Sequence, residues 1–431
     1  MYSILLDLIY ALALAIGWPW LLWRRRQRGP AGAPWREYFG LVPHRSVAAE
    51  CIWVHGVSLG EINAARTIVG ELRRRRPDAA IVLSATTRTG LDRARSLYPN
   101  LLTFRFPLDF SFAIRAALHR LRPSAIVLME LEAWPNLVEV ATGRGVPVLI
   151  ANGRVTGERS MRRFRLPLIR SLARRMFGKI RWVGAQDETY AARFVELGVA
   201  AARVQVTGSV KYDGADVTDY VAGQEELAAA MGMDLKRPLW VCGSTGPGEE
   251  AHILDAYAGV LRERPETQLA IVPRKPERFD EAAALIVQRG FACLRRSTGK
   301  PEVPAGAREP RPVFLGDSMG ELRKFYSLAS VVFVGRTLAP MGGSDVMEVA
   351  GLAKAMIIGP SNENFAEAVA LLMAERACRQ ISSADQLAGA VLELLGDAAL
   401  RSETGRRARE AILRRRGATE RTVERILAFL S

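Results

Sequence analysis

Cysteine and histidine are scarce in this chain, with four of each among 431 residues. The cysteines (Cys51, Cys242, Cys293 and Cys378) are widely spaced, without a CxxC pair or a Cys/His cluster. That pattern excludes a structural zinc and a disulfide framework, and it points to a reducing compartment. No HxxxH and no Asp-x-Asp pair occurs, so no metal centre and no cofactor are expected. Charge neutralisation in any phosphate chemistry then falls to Lys, Arg and helix N-termini. The Gly-Lys-Ser/Thr ending of a Walker A loop is missing. Low-complexity segments are missing, as are basic motifs interleaved with aromatics, so nucleic acid is not an expected partner.

What is present is a globular composition, 49% hydrophobic and 24% charged, at a length that suits two domains rather than one core. The net charge of +15 is uneven: residues 1–220 hold 32 Lys+Arg against 18 Asp+Glu, and residues 221–431 hold 28 against 27. The first half therefore faces something anionic. The N-terminus says what. Tyr2 to Trp23 is apolar apart from Asp7, and "RRRQR" (Arg24 to Arg28) follows at once. The length suits a membrane span, the basic flank places the following chain in the cytoplasm, and Trp18, Trp20 and Trp23 stand where interfacial aromatics belong. A secretory signal carries its basic residues before the apolar run, so this segment reads as an uncleaved membrane anchor. Asp7 leaves open a helix that is embedded without crossing.

Beyond the anchor, apolar β-rich runs alternate with amphipathic stretches. "CIWVHG", "AAIVLSA", "LLTFRF", "SAIVLME", "VPVLIANG", "IRWVGAQ" and "VQVTG" read as buried strands. In Ile62–Arg75, Ile62, Ala65, Val69 and Leu72 share one helical face. After a turn-rich stretch at 212–237 the series restarts with "PLWVCG", "QLAIVPR", "PVFLGD", "SVVFVG" and "AMIIGP". The expected fold is α/β, two Rossmann-like doubly wound domains facing a cleft. "WVCGSTGPGEE" echoes the earlier "WVHGVSLGE". The last helical stretch, about Ala384 to Leu430, is long enough to cross back over the first domain.

Ligands of open α/β sheets gather beyond the carboxyl ends of the strands, and the chemistry-bearing residues stand there. Glu61 opens the helix after the first strand, where it is either a reactive carboxylate or a first-turn acid favoured by the helix dipole. Glu130 and Glu132 follow "SAIVLM", at a strand end where a carboxylate is costly without a partner. "ANGRVTGERS", with Arg154, opens a one-sign stretch: Ala151 to Arg181 holds ten Lys/Arg and one acid. Arg162, Arg163, Arg165, Arg170, Arg174 and Arg175 have roughly helical spacing and read as a lipid-phosphate surface. Ser209 and Lys211 end the first domain. In the second, Ser244 and Thr245 with the surrounding N–H groups form a candidate phosphate cradle. Arg274 and Lys275 follow a strand, "GDSMGEL" makes a turn-to-helix junction, and Asp345 and Glu348 are placed to take ribose hydroxyls.

The whole chain resembles the membrane-anchored Kdo (3-deoxy-D-manno-octulosonic acid) transferases of lipopolysaccharide synthesis. The resemblance rests on the anchor with its basic flank and, in order, on "WVHGVSLGE", "MELEAWPN", "IANGRVTGERS", "TGSVKYD", "VPRKPERF", "GDSMGEL" and "GPSNENF". It implies the GT-B architecture of inverting glycosyltransferases and transfer of Kdo from CMP-Kdo to the lipid A precursor (lipid IVA). By matching motif, Glu61 is the implied general base, and Glu130 with Lys211 the pair that steadies the transition state. Pro273 and Arg274, the Met319-Gly320-Glu321 turn, and Asp345, Val346, Met347 and Glu348 are the implied CMP site. The implied domains are the anchor at 1–28, an acceptor-binding domain at 29–220 and a nucleotide-sugar domain at 221–431.

Three motifs depart from the family pattern, all in the nucleotide half. "GGSDVMEV" has Ser344 and Asp345 for His and Asn and Val349 for the closing Pro, "STGPGEE" lacks a His, and "PRKPER" has Lys275 for His. Two alternatives stay open on that account: a GT-B enzyme using another nucleotide sugar on a lipid or cell-wall acceptor, and a non-catalytic membrane-bound nucleotide-binding relative.

Overall fold

The structure is a computed structural model that describes residues 2–28, 35–45, 49–155, 157–305 and 311–430. It divides into two compact units, Met1–Gly214 with Arg415–Ser431, and Ala215–Arg414. Each is built on a sheet of the expected kind. The first sheet has strands β1 (Cys51–Gly56), β2 (Ala80–Ala85), β3 (Leu102–Arg105), β4 (Ala125–Met129), β5 (Val148–Gly153), β6 (Trp182–Ala185) and β7 (Val204–Val206). All pair in parallel, in the order β3-β2-β1-β4-β5-β6-β7. Both faces are covered, so the strands are apolar on both sides. Trp53, Phe104 and Leu128 pack on one face, Ile52, Val54 and Val127 on the other.

The second sheet has β8 (Leu239–Thr245), β9 (Gln268–Pro273), β10 (Ala292–Arg295), β11 (Pro301–Glu302), β12 (Pro312–Leu315), β13 (Val331–Val334), β14 (Ala355–Ile358) and β15 (Arg379–Gln380). Its order is β11-β10-β12-β9-β8-β13-β14-β15, and only β11 is antiparallel. The sequence pattern misses β10, β11 and β15, which lie toward the edges and are too short for a buried apolar run. In both units the strand order reverses beside the opening strand, between β1 and β4 and between β8 and β13. Those switch points are where α/β sheets place their ligands.

The C-terminal stretch is not one helix. Leu387–Gly396, Ala398–Arg414 and Ala418–Leu427 are separate helices after a single turn at Ala384–Gln386. Gly417, at φ 97, sets the last break. Ala418–Leu427 alone among these helices belongs to the first unit, where Ala418, Val423 and Ile426 pack with Ile68, Val69 and Leu72.

The N-terminal segment forms the expected helix, Tyr2–Arg28, but it is docked along the first unit. The side chains of Trp18, Trp20, Trp23 and Arg24 to Arg28 lie outside the described residues. Leu6 is buried. Asp7 accepts from the Ser111 N–H at 2.8 Å, the Ser111 hydroxyl at 2.5 Å and Asn136 Nδ2 at 2.9 Å. The Tyr10 hydroxyl donates to Asp109 at 3.3 Å, and Asp109 in turn accepts from the N–H groups of Asn136 and Leu137 at 2.9 and 2.8 Å. Asp7 and Asp109 thus meet the N–H groups at the starts of the Ser111–Leu121 and Pro135–Thr142 helices. Among the described residues no helix is long and apolar enough to cross a membrane. The reading of this segment as a spanning anchor gains no support from the helix, and Asp7 ties one of its faces to protein. The opposite face presents Ile4, Leu5, Leu8, Ile9, Leu12 and Ile16, each more than half exposed.

Replacing Asp7 removes the acceptor at the start of the Ser111 helix. Asp7→Ala is expected to lower stability by about 1–2 kcal/mol, the usual cost of a lost cap, and to speed proteolysis within Tyr2–Ile16. Unchanged urea unfolding and cleavage rates would show that the helix is held by its apolar contacts alone.

Candidate active site

In the first unit the two strands of the switch point deliver the acidic residues. β1 ends at Gly56, where an added Cβ would stand 3.1 Å from Cβ of Glu61. Ser58 caps the Leu59–Arg75 helix by accepting from the Glu61 N–H at 3.4 Å. Glu61 reaches back: Oε2 accepts from the Val57 N–H and Oε1 from the Ser58 hydroxyl, each at 2.8 Å. This reciprocal arrangement is a variant of the capping box. Glu61 is therefore the first-turn acid of the plainer reading and also a fixed carboxylate at the strand end, only 8% exposed.

β4 delivers Glu130 in a left-handed conformation, φ 57, with its N–H bonded to Ala151 O of β5 at 3.0 Å. Such a conformation in a non-glycine residue is costly and concentrates at functional sites. Glu130 and Glu132 are both half-buried. Burial raises the Glu130 carboxyl, Arg154 opposes, Glu61 adds to the rise and Lys211 opposes again. Burial, then Glu61 and Glu130, push Glu132 up to about 7. The structure thus gathers Glu61, Glu132, Arg154 and Lys211 within electrostatic reach of Glu130. Arg154 belongs to this cluster rather than to the arginine surface with which it was grouped. The sequence marks Glu132 beside Glu130 at this strand end but assigns it no role of its own.

His55 lies beneath, fully buried, with Nδ1 at 2.9 Å from the Ser84 hydroxyl and its ring stacked on Phe106 at 4.1 Å. Burial pushes its imidazole down to about 3, so it stays neutral. The expected arginine surface lies elsewhere: Arg162, Arg163, Arg165, Arg170, Arg174 and Arg175 are exposed. Arg165 pairs with Glu196 at 2.7 Å and Arg175 with Glu139 at 3.1 Å. The Arg175 guanidinium also lies 4.1 Å from the ring centre of Tyr2, which places this surface beside the N-terminal helix.

In the second unit much of the expected phosphate cradle is engaged within the protein. Ser244 is left-handed, φ 56, and pairs with the Tyr326 hydroxyl. The Thr245 hydroxyl donates to Glu250 at 2.8 Å. Glu249, buried, accepts from the N–H groups of Gly246 at 2.8 Å, Thr337 at 2.9 Å and Leu338 at 3.0 Å, and also from that of Arg336. Pro273 ends β9, and the Arg274 N–H bonds to Thr245 O at 3.0 Å, leaving the side chain exposed. Arg278, unremarked in the sequence, is buried beside Glu250 at 2.9 Å.

The remaining nucleotide-site positions divide by orientation. Met319 is exposed and Gly320 left-handed, φ 86. Glu321 is partly buried, which alone would raise it, but the Ser318 hydroxyl, Arg296 and Lys324 hold it down at about 2. Val346 and Met347 have buried side chains and offer a ligand only their backbone. Asp345 accepts from the Met347 N–H at 2.9 Å. Burial and then Asp345 raise Glu348, while Arg323 and Arg274 oppose. Arg274, Asp345 and Glu348 therefore come together.

Comparison with known proteins gives this geometry a context. A sequence-family model described as "3-Deoxy-D-manno-octulosonic-acid transferase (kdotransferase)" matches residues 33–214. The chain is similar to the 3-deoxy-D-manno-octulosonic acid transferase of Haemophilus influenzae, 32% identical over 381 residues, 88% of this chain and 87% of that one. It is 33% identical to the Bordetella pertussis protein of the same name, covering 98% of this chain and 99% of that one. Among solved structures, a glycosyltransferase from Rickettsia africae matches with a TM-score of 0.57 at 11% identity, over 89% of this chain and all of that one. UDP-GlcNAc 2-epimerase from Neisseria meningitidis matches with a TM-score of 0.57 at 13% identity, over 88% of this chain and 100% of that one. The last two share the fold alone.

The cluster makes a pH prediction. Folded Glu132 keeps its proton to about 7, against an ordinary value of 4.5. Between those values the folded state binds more protons than the unfolded one, so the stability contribution falls as pH rises and the penalty is complete above the folded value. Glu132→Gln never ionises and is expected to melt higher than wild type near pH 8 and about equally near pH 4.5. An equal difference at both pH values would rule out proton uptake at Glu132.

Proposed function

The chain belongs to the 3-deoxy-D-manno-octulosonic acid (Kdo) transferase family, and we propose that it transfers Kdo from CMP-Kdo to a hydroxyl of the lipid A precursor, lipid IVA. Kdo transfer in lipopolysaccharide biosynthesis is the family's activity. The donor, the acceptor and the roles of individual residues are our reading. The observation that carries it is the carboxylate cluster beyond β1 and β4, with Arg154 and Lys211 as its counter-charges.

In this reading Glu61 takes the proton of the acceptor hydroxyl. The oxygen attacks the anomeric carbon of Kdo, the bond from that carbon to the CMP phosphate breaks, and CMP leaves with the electron pair. Attack from the face opposite the leaving group inverts the anomeric centre. Each carboxylate oxygen of Glu61 accepts one hydrogen bond inside the protein, and an ionised carboxylate has about four acceptor sites, so capacity remains for a hydroxyl. Glu130 and Lys211 steady the charge that develops on the sugar. Arg274 meets the CMP phosphate, and Glu348 with Asp345 takes the ribose. The reading calls for neither cofactor nor metal. Ser344, Asp345 and Lys275 favour, as a second reading, a different nucleotide sugar on the same fold.

We also propose that the enzyme works at the cytoplasmic side of the inner membrane. The exposed apolar row of the N-terminal helix would enter the interface lying flat, and Arg162 to Arg175 would face anionic lipid. The contact between Arg175 and Tyr2 supports placing both on one side of the first unit.

Glu61→Gln is expected to lower transfer by about 10²–10⁴-fold while CMP binding stays nearly unchanged. Product from CMP-Kdo and lipid IVA is followed by mass spectrometry, with UDP-sugars as competing donors. Near wild-type transfer would return Glu61 to its capping role, and product from a UDP-sugar alone would favour the second reading. Replacing Arg162, Arg163, Arg170 and Arg174 with Gln should weaken binding to anionic vesicles at low salt. The difference should fade at physiological salt, where screening acts over about 8 Å. Equal binding at all salt concentrations would leave the arginines as a solvated surface.

A further inference from the structure

The loop after β13 holds a cation that the transfer reading leaves without a task. Arg336 sits at φ 64, in the left-handed region that glycine occupies freely and an L side chain only at a cost. Its backbone N–H is taken by Glu249, and its Nη2 donates to Met341 O at 3.0 Å. Its Nε is buried without a partner. Arg278, Arg295, Arg296 and Arg323 pair with Glu250, Asp317, Glu321 and Asp216. Arg336 has no acidic side-chain partner among the described residues.

Its position is equally specific. β8 lies between β9 and β13 in the sheet, so the loops after β9 and β13 flank the turn that follows β8. Arg274 stands on one side, bonded through its N–H to Thr245 O. Arg336 stands on the other, its Cγ 3.1 Å from where a Cβ on Gly246 would lie. Arg278, only 8% exposed, has Nε and Nη1 without partners. Four N–H groups around the loop are spent on Glu249, and the donors left without partners at this edge include guanidinium nitrogens of Arg278 and Arg336. A left-handed arginine with no internal anion is poorly explained by stability, because glycine would suit the backbone better.

We propose that Arg336 is a donor-recognition residue of this chain, its guanidinium binding an oxyanion of the nucleotide sugar. The proposal rests on the CMP-Kdo reading of the second unit. Such a donor carries two oxyanions, the phosphate and the sugar carboxylate, and a planar guanidinium suits either.

The test uses the full chain and two variants. Arg336→Gly keeps a residue suited to φ 64, so it is expected to melt no lower than wild type. Arg336→Lys keeps the charge and loses the fork. CMP affinity is measured by calorimetry, with cytidine as the ligand lacking phosphate, and KM is measured for CMP-Kdo. In Arg336→Gly the KM for CMP-Kdo is expected to rise about 10- to 100-fold, as for one lost charge-assisted bond, with partial recovery in Arg336→Lys. A parallel loss of CMP affinity assigns the phosphate, and unchanged CMP affinity assigns the carboxylate; either upholds the proposal. Unchanged KM and unchanged CMP affinity in a folded Arg336→Gly would overturn it while leaving the CMP-Kdo reading intact. A wild-type protein that binds neither CMP nor CMP-Kdo would overturn both.

Discussion

Carboxylates accepting backbone N–H groups at helix starts and in the turns beside them hold this molecule in shape. In a parallel sheet every strand runs out at the same edge, and helices begin there with N–H groups that have no partner of their own. Asp7 and Asp109 meet those groups, while Glu61 and Glu249 accept N–H groups of the turns and loops at the same edge. Asp7, Asp109 and Glu249 each join segments far apart in the chain, whereas Glu61 ties together its own turn. The N-terminal helix, the turn after β1, the turn before Pro135 and the loop after β13 all take their positions from these bonds.

The same interaction separates the two units chemically. Glu249 and Glu61 stand at corresponding places after the opening strand of each sheet. Glu249 accepts four N–H groups from two segments and is saturated. Glu61 accepts one N–H and one hydroxyl. One carboxylate has become a structural rivet, and the other keeps room for a further donor. The surroundings follow suit. In the first unit carboxylates crowd one another and Glu132 is driven toward neutrality. In the second, Glu321 is held ionised by its basic and hydroxyl partners.

How much of this the sequence discloses depends on range. The central strands, the glycine turns after them and the positions of Glu61, Glu130 and Arg274 are legible because they follow from local pattern: an apolar run, a turn residue, a helix start. Val346 and Met347 were legible as neighbours of Asp345 but not as core residues, since a short motif does not disclose which of its side chains point inward. Asp7 shows the limit most clearly. A single acid in an apolar run reads as an imperfection in a span, and its partners Ser111 and Asn136 lie more than a hundred positions away. The partners of Glu249 at Thr337 and Leu338 are likewise remote. Arg336 escapes a sequence reading for a different reason, because its backbone conformation has no signature in residue type.

The return of Ala418–Leu427 to the first unit has a consequence for biosynthesis. That helix covers the apolar side of Ile68, Val69 and Leu72, yet it is separated from Gly214 by about 200 residues of the second unit. Ribosomes add roughly 5–20 residues per second, so the patch waits roughly 10–40 s, uncovered, while the intervening unit is made. A nascent chain in that interval is an incomplete sandwich with a greasy flank, a client for holding chaperones. The order of the gene, rather than the strength of any contact, sets how long it stays so.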